Sequence, residues 1–291
     1  MRADRAILFR LATSERLEQL VKGVPGGEAN AYRAASRYLA GRTREEALEV
    51  TRVQLAKGHG VSLDLFGELS TDPADAARVA DAYVELAGLI PPPPADVWVS
   101  VDLSHLALDV DPSGCADLLE RMVRALPPGR RVQVGAEDTG RTDKVRSCVL
   151  EVAGRGLADR LGATVQANLR RAPEDVDALT EAGVHVRLVK GAYVEPAGVH
   201  PYGEPTDIAY LRLAHQLAAT GAQWSLATHD GRLREAVLLA LGPVHVEQLL
   251  GVRPEVLDDL TARDIPTRVY VPYGPDWFRY WLRRVAESRG A

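Results

Sequence analysis

The sequence is poor in cysteine and in aromatic residues, and it has no surplus of basic charge. Cys115 and Cys148 are the only cysteines among 291 residues, so neither a disulfide framework nor a metal-ligand spacing is present. The 35 basic and 40 acidic side chains leave a net charge of −5, which offers no electrostatic footprint for nucleic acid. No apolar run approaches the roughly 18 residues of a membrane span, and the first residues lack the apolar core of a signal peptide. We therefore expect a cytoplasmic protein with no metal site and no nucleic-acid partner.

The apolar residues follow two different patterns in successive parts of the chain. Hydrophobic residues make up 46% of the chain, which is ample for a sizeable core. Helical patterns alone occupy the first part of the chain, at residues 6–20, 31–40 and 44–57. From residue 58 onward, short β-rich runs alternate with amphipathic helical stretches. We predict an N-terminal helical segment over residues 1–57 and a single α/β domain over residues 58–291.

The alternation predicts a (β/α)8 barrel, an α/β fold. The β-rich runs are residues 61–66, 97–102, 132–135, 164–167, 185–189, 224–227, 244–248 and 267–271. The helical stretches are residues 73–87, 116–126, 143–157, 173–181, 210–220, 232–241 and 254–261, followed by a final helix at 275–288. Such a series of strand–helix pairs matches a (β/α)8 barrel, and an open doubly wound sheet is the alternative. No Gly-x-Gly-x-x-Gly follows the first strand, which leaves the dinucleotide-binding form of that sheet with little support.

Every predicted strand ends in polar side chains. Active sites of these barrels lie at the carboxyl ends of the strands, so the series is both a test of the fold and a search for the site. The polar residues are, in chain order, Glu68, Asp102, Glu137, Asp138, Gln166, Arg187, Lys190, Thr228, His229, Asp230, Glu247, Gln248 and Tyr270. A single polar exit is weak evidence because loops are polar in general, whereas eight exits in register indicate a shared site.

Residues 186–193 (Val-Arg-Leu-Val-Lys-Gly-Ala-Tyr) are the most informative stretch. Arg187 and Lys190 stand at the exit of a buried strand, where buried cations need a partner. Gly191 and Ala192 follow directly, and residues this small let a flat or phosphorylated ligand approach the backbone. The stretch is typical of the anion-binding wall of a cofactor site. Taken alone, it fits a strand that ends in a solvated Lys and a turn Gly better, and the rest of the chain shifts the balance towards the cofactor site.

The final helix places Tyr280, Arg283, Arg284 and Glu287 on one face. Adjacent arginines can form a bidentate clamp on a carboxylate, and the aromatic residues at 277, 278 and 281 could anchor the helix over the barrel mouth. The alternative is a solvated Arg-Arg pair with an acidic partner on the helix surface.

The sequence assigns no definite role to two histidines, His229 and His105, or to the acidic residue Asp64. His229 has no second His at ligand spacing, so a hydrogen bond to a bound molecule suits it better than metal ligation. Alternation along the strand does not decide whether the Asp64 side chain points into or out of the barrel. His105 fits a structural role as well as a functional one.

Four motifs, in this order and spacing, resemble the proline dehydrogenases. They are RLVKGAY at 187–193, ATHD at 227–230, RVYVPYG at 268–274 and YWLRR at 280–284. The resemblance runs from about residue 58 to the C-terminus. It implies a distorted (β/α)8 barrel, with the N-terminal helices as a lead-in and the last helix over the mouth. It also implies a monofunctional bacterial enzyme that oxidises L-proline to Δ1-pyrroline-5-carboxylate by hydride transfer to FAD, the first step of proline catabolism.

The resemblance also implies roles for individual residues. Arg187 would lie near the reactive nitrogen of the flavin, and Gln166 would meet the edge of the isoalloxazine ring. The other cofactor-binding residues would be Lys190, Gly191, Ala192, Thr228 and His229. Arg283 and Arg284 would clamp the substrate carboxylate, Tyr270 and Tyr280 would flank the proline ring, and Glu287 would pair with an Arg to close the site. Electrons would pass to a quinone or another acceptor, from a position in the cytoplasm or at the inner membrane surface.

Two positions depart from the pattern that the resemblance implies. The usual Lys after the second strand is Asp102, and the usual Asp after the third strand is Gly135. The pair suggests that a carboxylate has moved from the third strand to the second, where Asp102 would face the substrate amine. Either the protein oxidises proline with altered affinity or it prefers a related cyclic amine or imino acid. A catalytically silent ligand-binding barrel and a pyridoxal-phosphate barrel with Lys190 as the Schiff base are further alternatives. Whether Glu247 or Gln248 meets the flavin stays open, as does the oligomeric state.

Overall fold

A computed structural model of the chain describes residues 19–21, 23–193, 195 and 197–288, with side chains up to residue 285. Eight parallel strands close into a barrel in chain order, and the last strand pairs with the first. The strands are β1 (Gly60–Leu65), β2 (Val97–Val101), β3 (Val132–Val134), β4 (Leu161–Gln166), β5 (His185–Val189), β6 (Trp224–Ala227), β7 (His245–Leu249) and β8 (Thr267–Tyr273). The predicted (β/α)8 barrel is confirmed, and the doubly wound alternative is wrong because the sheet has no open edge.

The helices of the described residues flank and cover the barrel. They are α1 (Gly27–Ala35), α2 (Arg44–Ala56), α3 (Pro73–Ala87), α4 (Pro112–Ala125), α5 (Thr139–Val152), α6 (Ala172–Glu181), α7 (Glu204–Thr220), α8 (Gly231–Leu241), α9 (Pro254–Ala262) and α10 (Trp277–Ser288). The helix predicted over residues 6–20 lies almost entirely outside the described residues. No helix that the structure describes has both the length and the apolar character to cross a membrane.

Several helices begin earlier than the apolar periodicity predicts. Helix α4 starts at Pro112 rather than at residue 116, because the Asp111 side chain accepts a hydrogen bond from the backbone of Gly114. Asp138 caps α5 in the same way, through the backbone of Gly140. First turns of this kind are polar and solvent-facing, so caps rather than hydrophobic spacing determine where they begin.

The barrel is distorted at its closing seam. Helix α2, which precedes the first strand, packs beside β1 and β8, the place that the eighth helix of a regular barrel would occupy. The chain after α1 is also tied to β8, since the backbone N–H of Ala40 donates to the carbonyl of Pro272 at 2.9 Å. Helix α10 packs against α1 instead, in an apolar cluster that includes Ala31, Trp277 and Phe278. This arrangement leaves α10 free to cover the carboxyl ends of the strands.

The amino end of the barrel is closed by a stack of cations on Trp98. The guanidinium of Arg268 lies 3.4 Å from the centre of the Trp98 ring, and that of Arg131 lies 4.7 Å from it. Arg268 is fully buried and pairs with Asp96 at 2.5 Å. A buried cation is tolerated when it is paired and stacked in this way. Access to the barrel interior is therefore from the carboxyl end, which we call the mouth.

Candidate active site

Asp64 lies inside the barrel at the mouth, which settles the orientation that alternation left open. Its carboxylate accepts a hydrogen bond from the Tyr270 hydroxyl and another, at 3.1 Å, from the hydroxyl of Tyr83 on α3. Burial raises the pKa of Asp64 to about 6, although both tyrosine hydrogen bonds act to lower it. The Tyr270 ring is thus fixed at the edge of the mouth by an acid that the motifs did not single out.

Arg283 reaches from α10 into the mouth and is held there by acidic and aromatic neighbours. It forms an ion pair with Glu68 and donates a 3.4 Å hydrogen bond to the hydroxyl of Tyr193. Its guanidinium also stands 5.3 Å from the centre of the Phe66 ring. The side chain is 11% exposed, which contradicts the alternative of a solvated Arg-Arg pair for this residue. The ion pair with Glu68 keeps Arg283 charged and aimed at the centre of the mouth.

Two tyrosines and the second arginine complete this wall. The rings of Tyr270 and Tyr280 are stacked with centroids 6.3 Å apart, and Arg284 lies 4.9 Å from the Tyr280 ring centre. Tyr280 is buried, and its ring also meets Phe66 edge to face. The structure therefore brings together Tyr270, Tyr280, Arg283 and Arg284. The side chain of Glu287, the remaining predicted residue of this helix, lies outside the described side chains.

Asp102 and Gly135 are neighbours in space, as their paired departure suggests. A Cβ on Gly135 would overlap the Oδ1 atom of Asp102 and lie 3.1 Å from its Cγ. Burial, and next the nearby carboxylate of Glu137, raise the pKa of Asp102 well above its ordinary value, whereas Arg283 acts to lower it. The carboxylate of residue 102 fills the space that a side chain at 135 would need, so the two positions cannot vary independently.

The opposite side of the mouth carries the residues predicted to bind a cofactor. Lys190 is held between Asp207 at 2.5 Å and Asp230 at 3.2 Å. Burial acts to lower the pKa of Lys190, but these two carboxylates raise it. Asp230 also caps α8 and receives support from the Thr228 hydroxyl, which accepts its backbone N–H at 3.1 Å. The lysine is therefore protonated, which suits an anion and disfavours the nucleophilic amine that a Schiff base requires.

The backbone at Gly191 has a conformation that requires glycine. Its φ angle is +104°, and a Cβ there would overlap the side-chain amide of Asn168. The Oδ1 atom of Asn168 and the Nδ1 atom of His229 are buried and make no hydrogen bond within the described residues. Burial lowers the pKa of His229 to about 4, with Arg284 the next cause, so its ring is neutral. Unsatisfied buried polar atoms beside such a cradle fit a bound polar cofactor.

Beneath the mouth, Arg187 lies inside the barrel and not in solvent. Its Nε and Nη2 atoms contact Oε2 of Glu247 at 2.8 Å and 2.7 Å, and Nη2 lies 3.4 Å from the Ser62 hydroxyl. Glu247 in turn accepts a 2.5 Å hydrogen bond from Ser225. Since neighbouring residues of a strand face opposite sides, Gln248 points away from the interior. Of the two residues left open by the sequence, Glu247 is the one beside Arg187.

Sequence reasoning predicted most of these positions and missed several of their partners. Asp64, Tyr83 and Asn168 had no motif to mark them, because their importance comes from contacts between elements distant in the chain. Glu68 was among the polar strand exits but had no role assigned to it, and Tyr193 closes the 187–193 motif.

The fold and site together define a (β/α)8 barrel whose mouth joins an arginine and tyrosine wall to a glycine and lysine cradle. The family model described as proline dehydrogenase matches residues 47–291. The chain is 30% identical over 302 residues to the proline dehydrogenase of Deinococcus radiodurans, covering 98% of this chain and 94% of that protein. It is 29% identical over 266 residues to proline dehydrogenase 1 of Bacillus subtilis strain 168, covering 87% and 86%. The chain belongs to the proline dehydrogenase family.

Solved structures with the same fold are longer proteins. Proline utilization A from Bdellovibrio bacteriovorus, inactivated by N-propargylglycine, superposes with a TM-score of 0.83 at 21% identity, over 98% of this chain and 36% of that chain. The Bradyrhizobium japonicum protein, in a D779Y mutant, gives a TM-score of 0.71 at 25% identity, over 94% and 33%. This chain thus spans about a third of each, and the first likeness bears on the fold alone.

Proposed function

We propose that the chain oxidises L-proline to Δ1-pyrroline-5-carboxylate with FAD bound at the mouth. The observation that carries the proposal is that one mouth joins the arginine and tyrosine wall to the glycine and lysine cradle. Arg283 and Arg284 lie on the first and His229 on the second, and Arg284 is close enough to lower the pKa of His229. A substrate carboxylate held by the arginines would therefore lie beside the cradle.

The residues of the cradle fit a flavin. When bound, FAD would accept the hydride from the ring carbon next to the proline nitrogen. Lys190 would bind the anionic part of the cofactor, and Gly191 and Ala192 would let it approach the backbone closely. Gln166 is buried, and its amide nitrogen donates to the carbonyl of Glu137 at 2.8 Å, which fixes its direction at the exit of β4. The free acceptor on Asn168 and the neutral ring of His229 supply two further polar contacts.

The remaining residues would bind and orient the substrate and exclude water. Arg283 and Arg284 would hold the carboxylate by charge-assisted hydrogen bonds. The stacked Tyr270 and Tyr280 would flank the pyrrolidine ring, and α10 would cover it. Arg187 would place a positive charge near the electron-rich reduced cofactor, which is where developing negative charge needs stabilisation.

A related cyclic amine or imino acid is the second candidate substrate, and the position of Asp102 favours it. A carboxylate at this point repels a carboxylate ligand and attracts an ammonium group. Burial, and next the nearby Glu137 and Asp64, raise the pKa of Asp102, whereas Arg283 lowers it, so a bound ammonium group would favour the ionised form of Asp102. The mouth is therefore better supplied with acid than a site that recognises the carboxylate alone would need.

The electron acceptor and the cellular location are proposed on the family resemblance. We propose a quinone or another acceptor, and a protein that acts in the cytoplasm or at the inner membrane surface.

The test is the spectrum of the purified protein with its cofactor. We expect a yellow flavoprotein that L-proline bleaches, and a panel of cyclic amines and imino acids would rank proline against its relatives. A flavoprotein that no member of the panel reduces would support a silent ligand-binding barrel. A protein that binds no flavin would refute the proposed function altogether.

A further inference from the structure

The interior of the barrel contains a buried ion pair that substrate binding does not use. Arg187 and Glu247 are 7% and 3% exposed, and they face each other across the barrel from β5 and β7. Glu247 is held from its other oxygen by Ser225, which lies 3.1 Å from the Nε2 atom of His185. The pair thus belongs to a polar chain that runs from the lower part of the barrel up to Arg187.

The charge states of the ionisable side chains in this polar chain are fixed. Burial acts to raise the pKa of Glu247, but the positive charges of Arg187 and Arg268 lower it to about 2, so the carboxylate is ionised. Burial lowers the pKa of His185 well below its ordinary value, so that ring is neutral. The charge that Arg187 presents towards the mouth is therefore partly compensated from behind by one carboxylate.

We infer that Glu247 tunes the electron affinity of the cofactor through Arg187. This inference rests on the proposed function, since it requires a flavin at the mouth. An uncompensated guanidinium would stabilise the negative charge of the reduced flavin more strongly than one paired with a carboxylate. Glu247 is in this view a positioning residue: it aims the guanidinium and weakens its field without touching the substrate.

The test is the midpoint potential of the flavin in a Glu247→Gln variant. Glutamine keeps an oxygen that can accept the Arg187 hydrogen bond but removes the charge. We expect the potential to rise, with reduced flavin favoured about tenfold over the wild type, which is about 30 mV for a two-electron couple. A purely structural ion pair would leave the potential unchanged in every variant that folds.

Asp96→Asn is the matched control. It removes a carboxylate from another buried arginine, Arg268, at the amino end of the barrel and away from the mouth. Because Arg268 also acts on Glu247, the potential of this control should move much less than that of the Glu247 variant, without necessarily matching the wild type. If Glu247→Gln does not fold, Glu247→Asp keeps the charge but shortens the side chain, and a smaller rise is expected.

The outcomes distinguish a failure of this inference from a failure of the proposed function. A rise in the Glu247 variant that clearly exceeds any change in Asp96→Asn supports the inference. An unchanged or lower potential in a folded Glu247 variant, or an equal rise in the control, overturns it while proline still reduces the flavin. A wild-type protein that binds no flavin would instead refute the proposed function.

Discussion

Replacing residues 102 and 135 together, so that a Lys stands at 102 and an Asp at 135, gives the sharpest test of the substrate wall. The change is Asp102→Lys together with Gly135→Asp, measured beside both single variants. Gly135→Asp alone must displace the Asp102 carboxylate, because a Cβ on residue 135 would overlap its Oδ1 atom. Asp102→Lys alone leaves an added cation near Arg283 without the acid that would accompany it. Only the double change supplies both the space and the charge balance.

The expected size of the effect follows from one charge-assisted contact. A new hydrogen bond from an ammonium to the substrate carboxylate contributes about 1.5–3 kcal/mol. That range corresponds to about a ten- to hundredfold lower Kd for proline. Tenfold is therefore the lower bound of the expectation for the double variant.

The assay is saturation of flavin reduction by proline in the wild type and the three variants, with flavin content as the folding control. We expect weak proline binding in the wild type, a smaller gain or a loss in each single variant, and the full gain in the double variant. If the folded double variant binds proline no better than the wild type, Asp102 does not face the substrate. In that case the correspondence of the second and third strands with the family pattern is wrong.

Three other predictions concern the arginines and Asp64. Arg283→Ala or Arg284→Ala should raise the KM for proline about ten- to hundredfold with flavin content retained; unchanged affinity in both would show that α10 binds no carboxylate. Arg187→Met should lower the flavin midpoint potential and slow its reduction, and spectroelectrochemistry with stopped-flow reduction checks both. Burial raises the pKa of Asp64 from 3.8 to about 6, so its stabilising contribution is complete below pH 3.8 and is lost as the pH rises through 6. The free energy of unfolding in urea, taken as wild type minus Asp64→Asn, should therefore fall by about 3 kcal/mol from pH 3 to pH 7; a constant difference would contradict the assignment.

The strands were predictable because a closed parallel barrel buries them on both faces. Runs such as residues 186–189 are apolar or β-branched apart from Arg187. Strand β4 begins at Leu161, earlier than predicted, since Gly162 and Ala163 have no strand propensity of their own. Pairing of Gly162 with His185 on β5 extends the strand there, and no local pattern records that pairing.

Sequence alone could predict those candidate site residues that lie at or near the carboxyl ends of strands. The exits of β5, β6 and β8 gave Lys190, Thr228 and Tyr270 directly from the barrel rule. The partners that set their charge come from elsewhere, as Asp207 on α7 does for Lys190. Such contacts depend on how helices pack outside the barrel, and a single sequence does not contain that information.

Three acidic side chains of the barrel differ in how their charges are compensated. Asp96 pairs with Arg268 at the amino end, and Glu247 pairs with Arg187 in the interior, so each has a cation within 2.8 Å. The partners lower the pKa of both acids. Asp102 is the reverse case, because burial, and next the nearby acids Glu137 and Asp64, raise its pKa. The lower barrel is electrostatically satisfied, whereas the mouth retains a carboxylate that a bound ammonium group would stabilise in its ionised form. The gain from binding a cationic nitrogen is therefore concentrated beside Asp102, at the mouth where the proposed substrate would lie.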